Sequence, residues 1–588
     1  MKLLLRITVI VLCFTGVVHA SGEYTSFDVA SLKIILDTEW ASQTAPGYLP
    51  VRVDIINEGD ERTIEVFGQG NRFRSTGAVT MDVRQAVHLK RGDRVHLTLP
   101  VPVFSDNENM QFQIREGGRM LHTMGYTGLM SGKAPNESPV LFIADPATPF
   151  GTAATPLLRS PKTPAGYLYF TPGMPGVRYP RGSVPTLDFT LGPARVPTNW
   201  LGFTTLRAVL AGPSEWGQLS ESQKSALLAY AACGGKLMLV DGNVNQIFPG
   251  VPAGTSPVRY LFGMIRFPKL DEIREKGLDE FLTSTASSDS AWSLPANHEP
   301  EWGSIAENGF RLPIRGVGRM PVRAYLAILI VFSLVIGPAN FLFLWRKRQP
   351  VLLVLTIPLV SLLFIALLAG YVVAGEGFGV HGRAETFTML DQEAKQAATR
   401  ASVSLYAAGM TPSGGLRFAR DMAVFPIGTD GRGSEEPESI DLTNLQQFSS
   451  GIVRARTPSN FEELGFRPAR ERLSFSGEMD HMTVVNGLGA TVQRLLFREN
   501  GKIYELNMPL PAGEKSVLTP GSAHSTQEFL SEVLHSARYR WIREAIDKQK
   551  DGSYVAILDR SPFWDPGVAA IDERDSFHLV VGLMRGQP

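Results

Sequence analysis

Cysteine is scarce in this chain, and neither sign of charge is in excess. Only Cys13 and Cys233 occur among 588 residues, and Cys13 lies in an N-terminal apolar run, which excludes a disulfide framework. Lysine plus arginine and aspartate plus glutamate total 57 each. The net charge therefore gives no electrostatic support for binding nucleic acid.

Sequence signatures of catalysis and metal binding are also lacking. No histidine or cysteine pair has zinc-site spacing, and no glycine-rich stretch ends in Gly-Lys-Ser/Thr. His298-Glu299 with Glu301, and Asp480-His481, are expected to be solvated loops, and a hard-cation site built from distant carboxylates stays open as an alternative. We predict no catalytic, cofactor-binding or metal-binding residue and no cofactor.

The N-terminus has the pattern of an export signal. Lys2 and Arg6 precede the apolar run Ile7–Cys13, and Val18-His19-Ala20 supplies the small residue that signal peptidase needs. We therefore predict a signal peptide at 1–20 and export of the chain that follows. Lipidation at Cys13 is a less favoured alternative because Leu12 is too large for a normal lipobox.

Two further apolar runs lie in mid-chain, at 324–345 and 351–374. Each exceeds the roughly 20 residues needed to cross the hydrocarbon of a bilayer, so together they predict a transmembrane hairpin. Gly337-Pro338 is expected to kink the first helix, and Asn340 to hydrogen-bond to the second.

The charges that flank the hairpin bear on its orientation. The turn Trp345–Gln349 is short and basic, as the positive-inside rule expects of a cytoplasmic loop. Arginines on the other flank oppose this reading, but long exported domains translocate largely regardless of charge; they are Arg311, Arg315, Arg319 and Arg323. We predict a protein of the bacterial inner membrane with most of its chain in the periplasm.

Short strands with alternating apolar and polar residues dominate 28–130. The turn signal Arg91-Gly92-Asp93 separates two of them. Such strands can bury one face only against another sheet, so we predict a β-sandwich of immunoglobulin-like type. The strand candidates are Tyr48–Ile56, Thr63–Gly68, Val79–Leu89 and Arg94–Val103.

A different pattern begins at residue 138. Pro139–Ala144 and Leu206–Leu210 are candidate buried strands. Ser220–Gln223 is a capping box that opens a helix, and Gly234-Gly235 ends this helix before the strand Lys236–Val240. Strand, helix and strand in this order predict a parallel sheet, so we assign 138–265 to an α/β domain and 266–320 to a connector.

Residues 376–588 are predicted to form a β-rich extracytoplasmic domain with one helix, which Ser525-Thr526-Gln527-Glu528 caps. Asn486-Gly487-Leu488-Gly489 followed by Leu510–Glu514 echoes Asn57-Glu58-Gly59 followed by Leu89–Asp93. The echo indicates two sandwich-like modules, one on either side of the hairpin. The expected fold class is a multidomain α+β membrane protein.

Part of the chain resembles a known group of proteins. Pro197–Phe203, Leu206–Leu210 and Gly234–Leu237 resemble the class I glutamine-amidotransferase-like domain of largely uncharacterised bacterial envelope proteins with a membrane hairpin. Ile336–Phe341 and Trp345–Arg348 resemble the hairpin of the same group. The resemblance implies a flavodoxin-like α/β domain, and partners such as MoxR-type ATPases and von Willebrand A-domain proteins.

Two residues of the α/β domain are candidate nucleophiles. Amidotransferases need a cysteine on a strained strand-to-helix elbow, whereas Cys233 is expected at a helix C-terminus, where the dipole disfavours thiolate. Ser214 lies outside a Gly-x-Ser-x-Gly elbow and is expected to be a polar turn residue. Neither residue is predicted to be catalytic.

These observations favour a non-enzymatic, membrane-anchored envelope protein that is a scaffold or binding component of an assembly complex. One alternative is an accessory or ligand-binding part of a transporter. The other is a hydrolase that uses the α/β domain, the only plausible seat of catalysis because open parallel sheets hold ligands at the carboxyl ends of their strands.

Overall fold

The structure is a computed structural model with mixed, strand-rich α/β architecture. The predicted signal peptide 1–20 and most of the helix predicted after Ser525 lie outside the residues that it describes. The described residues are 24–37, 47–74, 77–103, 107–124, 129–130, 139–158, 188–249, 251–252, 254–284, 312–317, 322–377, 379–409, 415–427, 438–450, 453–477, 481–506, 508–521, 529 and 551–584.

Nine strands lie in the described part of the N-terminal region, and the predicted strands are confirmed. They are β1 (Tyr24–Val29), β2 (Leu32–Asp37), β3 (Gly47–Asn57), β4 (Arg62–Arg74), β5 (Gly77–Leu89), β6 (Arg94–Val103), β7 (Asn107–Glu116), β8 (Arg119–Met124) and β9 (Leu129–Met130). One antiparallel sheet has the order β1-β2-β3-β6, and β5-β4-β7-β8 belong to a second. Alternation along β3 buries Val53 and Ile55 in a cluster shared with Ile64 and Val66 of β4, so the two sheets share a core.

The α/β region contains the predicted parallel sheet. Its strands are β10 (Val140–Ile143), β11 (Phe189–Leu191), β12 (Ala208–Ala211), β13 (Lys236–Leu239), β14 (Val258–Tyr260) and β15 (Gly263–Arg266), in the order β11-β10-β12-β13-β15-β14. All neighbours are parallel except β14 and β15. Its helices are α1 (Pro149–Ala154), α2 (Pro213–Gln218), α3 (Glu221–Ala232), α4 (Leu270–Lys276) and α5 (Leu278–Ser284).

One local prediction for this region is confirmed and one boundary moves. The Ser220 capping box is present at the start of α3. The sequence placed 266–320 in a connector, but α4 and α5 pack on the sheet, since Ile273 and Phe281 share a buried cluster with Val140 of β10. The α/β unit therefore extends at least to Ser284.

Two apolar helical segments follow, as predicted. The first consists of α6 (Val322–Leu334), a π-helical turn at Val335–Ala339 and α7 (Asn340–Arg346), and the second is α8 (Leu353–Glu376). Both are long and apolar enough to cross a membrane, and neither is buried in the protein. The π-turn contains Pro338, which removes a backbone donor. Asn340 Nδ2 donates to Thr356 Oγ1 at 2.9 Å, which confirms the predicted bond between the helices.

The strands after the hairpin form most of the C-terminal region. They are β16 (Val380–Asp391), β17 (Gln396–Ala407), β18 (Leu416–Phe418), β19 (Ala423–Ile427), β20 (Glu438–Asp441), β21 (Gln446–Ser450), β22 (Ser459–Pro468), β23 (Arg472–Ser476), β24 (Thr483–Gly487), β25 (Val492–Glu499), β26 (Lys502–Glu505), β27 (Lys515–Val517), β28 (Thr519–Pro520), β29 (Ser553–Leu558), β30 (Asp572–Glu573) and β31 (Phe577–Leu583). The large sheet has the order β19-β22-β17-β16-β31-β29-β25-β26-β28, and β23-β24-β27 form a small one.

The sequence echo between the two regions corresponds to a repeated pattern of hydrogen bonds around an asparagine. Asn57 and Asn486 are both fully buried. Asn57 N donates to Asp93 O, and Gly92 N donates to Asn57 O. Its Nδ2 donates to Leu89 O and Asp60 O, and its Oδ1 accepts from Gly59 N. We call this arrangement the first Asn corner.

The second Asn corner repeats these contacts. Asn486 N donates to Glu514 O, and Gly513 N donates to Asn486 O. Its Nδ2 donates to Leu510 O and Ala490 O, while Oδ1 accepts from Leu488 N. Gly92 and Gly513 both have φ of +82°, a conformation that favours glycine.

The strands around the corners also correspond. The first unit pairs β2-β3-β6 opposite β5-β4-β7-β8, and the second pairs β23-β24-β27 opposite β26-β25-β29-β31. We refer to these sets as unit 1 and unit 2. The chain therefore contains one two-sheet arrangement twice.

Unit 1 is completed by residues from beyond the hairpin. β20 pairs in parallel with β5, and Glu438–Asp441 align with Met81–Arg84. β21 and β18 extend the sheet further, giving the order β18-β21-β20-β5-β4-β7-β8. The sequence placed 28–130 and 376–588 in separate domains, whereas this sheet joins them.

Candidate functional site

The carboxyl edge of the parallel sheet is the expected position of a ligand site. Strand order reverses between β10 and β12, and in open α/β sheets ligands bind at this switch point. Asp145 and Thr148 follow β10, and Gly212 and Glu215 follow β12. These four residues converge at the switch point.

Glu215 is the buried acid of this group. Its side chain is fully buried, and Oε1 lies against Thr148 Oγ1 in a short hydrogen bond. Thr148 also caps α1, because its Oγ1 accepts from Gly151 N at 3.0 Å. A Cβ on Gly212 would collide with Glu215 Oε2, so glycine is needed for this close approach.

Buried aromatic side chains line the switch point. Phe150 of α1 lies against Gly212, and Phe150 and Trp216 are both buried. Glu215 Oε2 is buried and makes no hydrogen bond within the described part of the chain. The arrangement provides a buried carboxyl group held by a threonine.

The two candidate nucleophiles lie apart from this carboxyl group. Ser214 is an exposed residue in the first turn of α2, a helix where the sequence predicted a turn, and its φ is not positive as a strained elbow would require. Cys233 is the C-cap of α3, at the predicted helix end, and is buried. Burial, reinforced by the charge of Asp421, raises the pKa of the Cys233 thiol well above its ordinary value.

A second buried polar group, which the sequence analysis missed, lies in the large C-terminal sheet. Glu463 of β22, Ala401 of β17, Thr386 of β16 and His578 of β31 are cross-strand neighbours in one row. Glu463 and His578 are each 1% exposed. The Nδ1 of His578 lies 2.9 Å from Thr386 Oγ1, and its Nε2 lies 2.7 Å from Glu573 Oε1.

Trp564 covers this row. Its Nε1 donates to Glu463 Oε2 at 2.8 Å, and its ring centroid lies 6.2 Å from that of His578. Burial raises the pKa of Glu463 well above its usual value, because the one indole bond only partly offsets the loss of water. A carboxyl group in this environment favours its neutral form.

The metal-binding candidates are not brought together. Within the described ranges, no group of three or more His, Cys, Asp or Glu residues is arranged to hold a metal ion. His481 is exposed, whereas His298, Glu299, Glu301 and Asp480 lie outside the described residues.

Comparison with known proteins gives no further identification. No family model matches the chain, and no curated protein matches it.

Some of the buried polar residues had a local signal in the sequence. Thr148-Pro149 has the form of an N-cap followed by proline at N1, and Glu215 stands two residues after the proline that begins α2. Glu463 and His578 carry no such signal, because each lies within a strand whose pairing partners are distant in sequence.

Proposed function

We propose that this protein is a non-enzymatic, membrane-anchored scaffold or binding component of an envelope assembly. In this proposal the hairpin holds it in the bacterial inner membrane, with both folded regions in the periplasm. MoxR-type ATPases and von Willebrand A-domain proteins are the proposed class of partners, on the strength of the family resemblance alone.

The observation that carries the proposal is the union of the chain before the hairpin with the chain after it. The parallel pair β5·β20 joins the two parts in one sheet. Tyr48 of β3 adds side-chain bonds, because its hydroxyl accepts from Val424 N at 2.9 Å and lies 2.6 Å from Gln446 Oε1.

The α/β region contacts the same segment. Trp200 Nε1 donates to Asp421 O at 2.7 Å, and Asn199 Nδ2 donates to Arg420 O at 3.1 Å. Tyr48 N in turn donates to Thr204 Oγ1 at 2.7 Å. All three regions therefore meet at one junction. Regions packed this way must lie on one side of a membrane, so a hairpin with two spans fits and a single span does not.

We further propose specific fold families for two of the regions. The sheet order β11-β10-β12-β13-β15 has the 2-1-3-4-5 form of flavodoxin-like folds, which supports an amidotransferase-like α/β domain. Unit 1, with three strands facing four, supports an immunoglobulin-like sandwich.

Topology is tested by alkaline-phosphatase fusions near residue 300 and after residue 400. Both fusions should be active, and a fusion within Trp345–Gln349 should be inactive. An inactive fusion after residue 400 would contradict the anchor arrangement.

The scaffold role is tested by crosslinking in intact cells, followed by reconstitution of the crosslinked pair from purified components. A direct complex supports the proposal. In parallel, Cys233→Ala should leave the biological activity intact, because the buried thiol is neutral. Loss of activity at an unchanged protein level would favour the hydrolase alternative.

One observation favours ligand binding by the α/β domain as a second candidate function. Glu215 Oε2 is buried at the switch point without a hydrogen-bond partner in the described structure, and such a group is costly unless something satisfies it. Glu215→Gln should then abolish binding of a small molecule that protects wild-type protein from thermal unfolding.

A further inference from the structure

The turn between the membrane helices carries an isolated cluster of positive charge. Arg346, Lys347 and Arg348 are consecutive and exposed. None of them forms an ion pair with another described residue, and residues 324–375 contain no aspartate or glutamate. The turn therefore carries three positive charges, and no acidic residue lies between residues 324 and 375 on either side of it.

The length of the two helices separates this turn from the described folded regions. Tyr325–Arg346 and Pro350–Tyr371 have 22 residues each and are not buried in the protein. At 1.5 Å per residue, such a helix is about 33 Å long. The Debye length at physiological ionic strength is about 8 Å, so charges on the folded regions do not neutralise the turn.

Local geometry presents the three side chains outward. The turn closes through Lys347 N to Phe343 O, Arg348 N to Trp345 O and Gln349 N to Leu344 O. Trp345 beside the cations is 65% exposed, and Lys347 Nζ lies 4.7 Å from the centroid of the Phe343 ring. Tryptophan at the end of a membrane helix is typical of the headgroup level of a bilayer.

We propose that this turn is a binding site for the phosphate headgroups of anionic phospholipids in the leaflet that it reaches. Guanidinium groups bind phosphate oxygens in a bidentate manner, and an ammonium group adds a point charge. The lipid supplies the negative charge that the hairpin lacks. This inference rests on the proposed membrane insertion but not on the scaffold role.

The test uses the full-length protein in phosphatidylcholine vesicles that contain phosphatidylglycerol. Brominated phosphatidylglycerol or brominated phosphatidylcholine quenches nearby tryptophan, and the difference between wild type and Trp345→Phe isolates the signal of Trp345. Wild type should be quenched more strongly by the anionic lipid, and added salt should weaken this preference.

A triple variant, Arg346→Gln, Lys347→Gln and Arg348→Gln, should lose the preference. The expected loss is at most about fivefold in relative affinity for each charge removed. The matched control replaces three exposed cations of unit 1, Lys90, Arg91 and Arg119, by glutamine. This control should keep the preference for the anionic lipid.

Equal quenching of wild type by the two lipids would overturn the proposal and favour an acidic protein as the source of counter-charge. Persistence of the preference in the turn variant, or an equal loss in the control variant, would overturn it as well. Each of these results leaves the fusion and crosslinking experiments unaffected, so failure of this inference is distinguishable from failure of the scaffold proposal.

Discussion

Unit 1 and unit 2 share one corner but attach to the rest of the protein at opposite edges. In unit 1, β20 joins the edge formed by β5, whereas in unit 2, β16 joins the edge formed by β31. Both additions are parallel, and both cover an edge that would otherwise offer unpaired backbone groups to other chains. The repeated corner fixes the two-sheet core, and the choice of edge decides what each unit is joined to.

The largest effect is expected at the corners themselves. Asn57→Ala and Asn486→Ala each leave buried carbonyls and an N–H group without partners, at a cost of about 2–4 kcal/mol. Hydrogen exchange of the full-length protein should show lost protection in unit 1 for the first variant and in unit 2 for the second. Asn245→Ala, at an exposed position, is the control. A large loss of protection at one Asn corner and none at the other would show that the two corners are not equivalent.

The next effect distinguishes unit 1 from unit 2. Tyr48→Phe removes the hydroxyl that Val424 N and Gln446 share, and it should cost about 1–3 kcal/mol, since two buried groups lose a partner. Faster hydrogen exchange at β19 is the measurement. Tyr371→Phe, in the second apolar helix, is the matched control. Unchanged exchange at β19 would mean that the tyrosine does not hold the two parts together.

Asn340→Leu should have a modest effect outside both units. The bond to Thr356 contributes about 0.6–2 kcal/mol in a bilayer, so the helix pair should loosen while the Asn corners keep their protection. Thermal unfolding in detergent, together with exchange at the corners, measures both. Ion flux through vesicles that disappears on this substitution would contradict a purely anchoring hairpin.

Opposite pH dependences are expected for two carboxyl groups, Glu463 of β22 and Asp441 of β20. Burial raises the pKa of Glu463, so above its ordinary pKa of about 4 the folded state still holds a proton that the unfolded state has released. This carboxyl group therefore favours folding less as the pH rises above about 4. Glu463→Gln should remove this pH-dependent loss of stability. A variant whose melting temperature falls equally at every pH would show that the acid is ionised in the folded protein.

For Asp441 of β20 the sign is reversed. Burial alone would raise its pKa, but hydrogen bonds from Thr443 and the Arg84 ion pair at 3.0 Å outweigh it and lower the pKa. Its contribution is present above about pH 4 and is lost as pH falls through the lowered value. Asp441→Asn should therefore destabilise at neutral pH by a small amount and have no effect in acid.

Local patterns predicted much of this fold. Alternation predicted the strands around Val53 and Ile55, the Ser220 capping box predicted α3, and the asparagine echo indicated two related modules. The strands and α3 depend on residues close in sequence, whereas the corners join residues 32 and 24 positions apart and were indicated only by a repeated pattern.

Pairings between distant segments were not predictable in the same way. The β5·β20 contact joins residues more than 350 positions apart, and nothing in the short strand Glu438–Asp441 specifies its neighbour. For the same reason, the row from Glu463 to His578 becomes a site only when four strands align. At the switch point, the residue types around Glu215 were visible in the sequence, but their convergence depended on the order of the sheet.

The central proposal is that the chain before the hairpin and the chain after it form one body on the oxidising side of the membrane. Arg84→Cys with Asp441→Cys, in a Cys233→Ala background, tests it directly, because these positions are aligned neighbours on β5 and β20. We expect the pair to form a disulfide in growing cells without added oxidant. Arg84→Cys with Arg417→Cys, three strands apart at about 14 Å, should stay reduced. A first pair that stays reduced in correctly inserted protein would contradict the claim.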